Sequence, residues 1–151
     1  MAEPNVSEFE ELKAKLENVY RMLTDYRSKL SWRFFQGDLK EAYRRDFDDS
    51  SWEIVSLPVQ WDPSKGDVWL RCKIKIPEQV GGIPVSGSKV ELYSSAMITG
   101  GEVFVDSRLV LKEDYWTDFR GPRITVVEEA RPGETHVVAM RAFEKRPVAR
   151  G

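Results

Sequence analysis

Apolar positions follow two different rhythms along this chain. Near the N-terminus they recur at alternating intervals of three and four, at Phe9, Leu12, Leu16, Val19, Leu23, Tyr26 and Leu30. That spacing puts one apolar stripe on one face of a helix, and Ser7-Glu8-Phe9-Glu10 supplies a capping box at which the helix should start. Glu11 stands four residues before Lys15, in the order that supports a helix. Beyond Leu30 the period shortens to two. Over residues 67–76, Val68, Leu70, Cys72, Ile74 and Ile76 fall on one face, with Trp69, Arg71, Lys73 and Lys75 on the other. This predicts a strand with one face in the core. Cys72 belongs to the inward series and reads as a buried, inert thiol.

Shorter runs complete the pattern. Residues 31–36 are an aromatic strand closed by Gly37-Asp38, and the charged stretch 39–45 suits a helical turn. Asp48, Asp49, Ser50 and Ser51 favour a turn, and a strand from Trp52 ends at Pro58. Residues 77–87, rich in Pro and Gly, read as a loop. Strands are predicted at 89–97, 123–128 and 135–143, and a hairpin over 102–111 turns at Asp106-Ser107. Glycine would suit that turn better than Ser107, since positive φ is wanted there. Short strands, frequent turn signals and almost no helix after residue 45 predict a mainly β fold, a β-sandwich preceded by one long amphipathic helix. The division is 1–30 for the helix and 31–151 for the sandwich.

A length of 151 residues suits one domain with an appendage. Lys and Arg total 23 against 25 Asp and Glu, so the net charge of -2 gives no electrostatic case for nucleic acid or an anionic membrane as partner. No apolar run approaches a membrane span, and Met1-Ala2-Glu3-Pro4 lacks the basic start of a signal peptide. With Cys72 the sole cysteine, a cytoplasmic chain is expected.

Catalytic chemistry is hard to place. His136 is the only histidine and has no second His or Cys in a ligand spacing, so no metal site is assigned. Asp48-Asp49 and Glu113-Asp114 are carboxylate pairs by proximity only, better read as turn-forming or solvated groups. Phosphate-loop, nucleophile-elbow and dinucleotide motifs are all missing, and no catalytic residue is assigned. A carbohydrate site stands as the minor reading beside core or interface packing, because exposed aromatic faces stack on sugars while polar groups bond the hydroxyls. Trp61, Tyr115 and Trp116, with Arg71 and Asp114 as polar partners, form the candidate site; Trp69 and Phe119 are further rings. The competing reading assigns these rings to core or interdomain packing.

The run from Asp48 through Ser51-Trp52, Leu57-Pro58 and Trp61, followed by Val68-Trp69-Leu70-Arg71, resembles the non-catalytic jelly-roll domain set before the catalytic domain in many glycoside hydrolases. That domain has the galactose-binding-like fold. Lys89-Val90-Glu91-Leu92, the segment from Gly101 to Asp106, and Arg131-Pro132-Gly133-Glu134 with the strand after it extend the resemblance. The leading helix, Gly100-Gly101 and Asp114-Tyr115-Trp116 make the chain most similar to the N-terminal region of α-mannosidases of glycoside hydrolase family 38. The β-galactosidase and β-glucuronidase group carries related domains.

The resemblance implies a supporting domain whose partner is the catalytic domain of a longer parent enzyme acting on α-mannosides. It implies zinc only in that catalytic domain, no cofactor in this chain, and no glycosidase activity for the chain alone. Two alternatives stand beside it: a free-standing carbohydrate-binding module, and an interaction protein that dimerises through the helix. For the helix itself, docking on its own domain is favoured over a dimer, because it runs into the strand at Ser31 with almost no linker.

Overall fold

The structure, a computed structural model, describes residues 5–27, 30–57, 59–93, 100–113 and 123–143. Helix α1 spans Val6–Arg27. It begins slightly ahead of the expected capping box, because Asn5 does the capping. The Asn5 side-chain oxygen accepts the Ser7 N–H at 3.2 Å and its carbonyl accepts the Phe9 N–H at 3.1 Å. The Glu11–Lys15 pair forms at 2.9 Å.

Ten strands follow among the described residues: β1 Trp32–Gln36, β2 Glu53–Val55, β3 Val68–Lys75, β4 Gln79–Val80, β5 Ile83–Pro84, β6 Val90–Tyr93, β7 Gly100–Val105, β8 Arg108–Glu113, β9 Arg123–Val127 and β10 Thr135–Phe143. Six of them make one antiparallel sheet in the order β2-β1-β3-β10-β7-β8. β6 pairs with β9, and β4 with β5. The long central strands hold the register, Val138 lying opposite Cys72 on one side and Val105 on the other.

Alternation sends Val68, Leu70, Cys72 and Ile74 of β3 and Val138, Met140 and Ala142 of β10 inward, where they meet Ile124 and Val126 of β9. Val90 and Leu92 of β6 pack against the same core. This is the mainly β sandwich that the sequence predicts.

The outward face of β3 is divided: Lys73 and Lys75 are exposed, but its first half is covered. Trp69 and Arg71 are both buried, together with Ala139 of β10. The long connection from Gly37 to Trp52 folds back over this face and lays Ala42, Tyr43, Phe47 and Trp52 upon it. Phe35 stacks on Trp52 at 5.3 Å between ring centroids, and Tyr43 meets Phe104 at 5.1 Å. That connection contains turns closed by the Arg44 N–H on the Glu41 carbonyl and the Phe47 N–H on the Arg44 carbonyl, where a helical turn was predicted. The stretch read as a loop holds the small hairpin β4–β5, turned by Gly81 and Gly82 at φ 58° and 79°.

The described part of the α1 stripe does not dock, and the side chains of Leu23 and Tyr26 lie outside the described residues. Phe9, Leu12 and Leu16 are 60, 57 and 62% exposed, and Val19 is exposed as well, while Leu30 beyond the helix packs against the inner core. The physical reason lies in the sandwich: the inner face of the large sheet is covered by β6 and β9, and part of its outer face by the 37–52 connection. Among the described residues no helix is long and apolar enough to cross a membrane.

Candidate functional site

The polar centre of the domain is Arg71, in the middle of β3 with its side chain fully buried. Nε donates to Asp49 Oδ2 at 2.8 Å, and Nη1 to the carbonyls of Ala42 and Arg44 at 2.5 and 2.9 Å. Nη2 reaches the carbonyls of Phe47 and Arg45 at 3.3 and 3.5 Å, and the Phe47 ring lies 5.4 Å from the guanidinium carbon. A planar fork with five donors suits this task, because one side chain satisfies several carbonyls of a connection that has no ladder of its own. Arg71 was expected to bond sugar hydroxyls. It is instead saturated inside the outer layer, with no donor left for a ligand.

Trp61 lies on the other side of the sheet. It is half-buried and packs against the inner core, in the loop leading to β3. Gln36 of β1 pins that loop by donating to the carbonyls of Asp62 and Gly66 at 2.5 and 3.2 Å. Asp62 in turn accepts the Ser64 N–H at 3.0 Å. The structure therefore does not bring Trp61 and Arg71 onto one surface. Asp114, Tyr115 and Trp116, the other members of the expected site, lie outside the described residues, as does Phe119. Trp69 is core: its indole N–H donates to the Leu39 carbonyl at 3.0 Å.

Of the carboxylate pairs, Asp48 is a turn residue that accepts the Ser50 N–H at 3.0 Å, and Asp49 is the counter-ion of Arg71. The Ser50 hydrogen bonds hold the Asp48 carboxyl below its usual value. Neither is placed for acid–base work. Cys72 lies in the inner core, where burial pushes its thiol up to about 12.

A second polar cluster escaped the sequence reading. The β7–β8 turn places Asp106 beside β10. There Asp106 Oδ1 accepts the Val137 N–H at 2.9 Å and Arg45 Nη1 at 2.5 Å, and Oδ2 stands 2.6 Å from His136 Nδ1. A carboxylate only accepts, so Nδ1 carries a proton. Burial works against the charge on Asp106, yet the bonds from Val137, His136 and Arg45 outweigh it and hold the carboxyl below its usual 3.8. Arg45 also donates to the Thr135 carbonyl at 2.7 Å, and its N–H to Ser107 Oγ at 2.7 Å. The cluster ties the 37–52 connection to the hairpin and to β10. Its members are far apart in sequence, so no local spacing could have marked it. Among the described residues, no group of three or more His, Cys, Asp or Glu side chains is placed to hold a metal ion.

The chain is a mainly β sandwich with a buried arginine at the centre of its outer layer. No protein-family model matches it. A β-galactosidase of Thermoanaerobacter pseudethanolicus is 29% identical over 91 residues, covering 54% of this chain and 12% of that protein. Among solved structures, a glycosyl hydrolase family 2 member from Bacteroides cellulosilyticus superposes with a TM-score of 0.63 at 20% identity, over 80% of this chain and 18% of the other. A Bacteroides uniformis β-glucuronidase gives 0.63 at 18% identity, over 79% of this chain and 15% of its own. A further β-glucuronidase of family 2 gives 0.65 at 18%, over 80% and 14%.

Identities this low establish the fold, which is that of a domain present in glycoside hydrolases of family 2. The relatives are β-galactosidase and β-glucuronidases, and this corrects the expectation of a family 38 α-mannosidase. The features chosen for that assignment did not discriminate. Gly100-Gly101 begins β7 of the large sheet, and Asp114-Tyr115-Trp116 lies outside the described residues. The zinc expectation rested on that assignment alone.

Proposed function

We propose that this chain is a non-catalytic β-sandwich domain of a β-glycosidase of glycosyl hydrolase family 2, and that it buttresses the catalytic domain of the parent enzyme. One observation carries the reading: the fold match takes up 80% of this chain but only 18% of the family 2 hydrolase. The chain thus corresponds to one module of a much larger machine. The substrate class follows from the relatives, β-linked glucuronides or galactosides, and the catalytic carboxylates belong to the partner domain. The buttress takes precedence over a free glycan-binding module because Arg71, one of the polar partners expected for a sugar, is consumed by the outer layer.

The test is an assay of the product of the complete reading frame beside the 151-residue chain alone, with nitrophenyl β-glucuronide and nitrophenyl β-galactoside. The long product should hydrolyse one of the two, and the chain alone neither. A reading frame that encodes no hydrolase domain sinks the proposal. So does glycosidase activity that copurifies with the chain alone.

A further inference from the structure

The exposed stripe of α1 asks for an occupant, and the geometry points to a second copy of this chain: two α1 helices pair along Phe9, Leu12, Leu16 and Val19 as a parallel two-stranded coil. These four side chains stand in solvent on a helix whose host domain has its inner sheet face covered. An apolar row of this kind on a 22-residue helix is a surface that water leaves unsatisfied.

The spacing decides the type of partner. A helix that lies on a sheet carries a broad apolar stripe that spreads beyond two positions per heptad. Here Phe9, Leu12, Leu16, Val19 and Leu23 step by three and four, an average of 3.5, which is the spacing of a left-handed coil, with Tyr20 beside the seam. Charged Glu8, Lys13 and Lys15 flank the seam, and Glu10, Glu11, Glu17 and Asn18 occupy the far side. In a parallel, in-register pair, Glu8 of one copy falls beside Lys13 of the other, and symmetry makes that contact twice. The acidic residues Glu8, Glu10, Glu11 and Glu17 also argue against an anionic membrane as the surface covered.

The inference is independent of the proposed buttress role. It is tested by sedimentation equilibrium of the full chain over a dilution series. The expected result is a species of twice the 17.4 kDa chain mass that dissociates on dilution. A Leu12→Glu, Leu16→Glu double variant should return the single-chain mass with the unfolding temperature of the β-domain unchanged. A second arm fixes the orientation. Leu12→Cys should form a disulfide-linked dimer on oxidation, whereas Ala14→Cys, on the face away from the seam, should not, and Cys72 stays buried in both. A wild-type chain that is monomeric at every concentration overturns the proposal and leaves the stripe to another domain of the parent protein. A double variant that remains dimeric overturns it by placing the interface elsewhere. Failure of Leu12→Cys to link overturns the parallel register.

Discussion

Arg71 is the side chain whose loss the fold can least tolerate. It is fully buried, paired with Asp49, and bonded to carbonyls along the connection that covers the outer face. Removing one member of a buried pair leaves an uncompensated charge, so Asp49→Ala should lower stability by about 3–5 kcal/mol in urea unfolding. Arg71→Lys should not rescue the wild-type value, because an ammonium group cannot span the carbonyls that the guanidinium fork reaches. Asp106 adds a pH signature. Its folded carboxyl lies below the usual 3.8, so the unfolded chain takes up the proton first and the contribution is lost as pH falls through the folded value. The stability gap between the wild type and Asp106→Asn should therefore be widest near neutral pH and should close below about pH 4. Cys72, held protonated by burial, should react with a thiol reagent only after denaturation.

The β7–β8 turn shows how an element can break a local rule when a distant group compensates. Asp106 and Ser107 both have positive φ, at 48° and 73°, the geometry of a two-residue hairpin turn that glycine serves best. Left-handed backbone costs a serine roughly 1–2 kcal/mol. Ser107 Oγ recovers part of that by accepting the Arg45 N–H, across a separation that the sequence does not advertise. Ser107→Gly should thus be close to neutral, since it relieves the backbone and loses the bond. Ser107→Ala keeps the strain and loses the bond, and should cost about 0.5–1.5 kcal/mol by urea titration, the worth of the bond alone. Strand β3 carries the same lesson at greater length. Its alternation correctly marks Val68, Leu70, Cys72 and Ile74 as core, but the burial of Trp69 and Arg71 depends on a cover that arrives from residues 37–52.

For the molecule as a whole, hydrophobic periodicity was enough to place the helix, the strands from Trp32 to Phe143 other than β4 and β5, and the sandwich class, because alternation and helical spacing are properties of neighbouring residues. Motif order was likewise enough to point to a glycoside hydrolase domain, since Asp49, Trp52 and Arg71 are the residues that lock the outer layer to the sheet. The candidate site was much less legible. Whether an arginine on an alternating strand faces a ligand or the underside of a loop depends on where a segment some 20 to 30 positions away comes to rest, and burial is a property of that packing rather than of the strand. The helix ended bare for the same reason. Its stripe was plain in the sequence, but only the packed sandwich shows that β6 and β9 already cover the inner face of the large sheet. Local pattern determined which residues are apolar together; the tertiary arrangement decided which of them found a partner within the chain, because burial requires surfaces that only folding brings into contact.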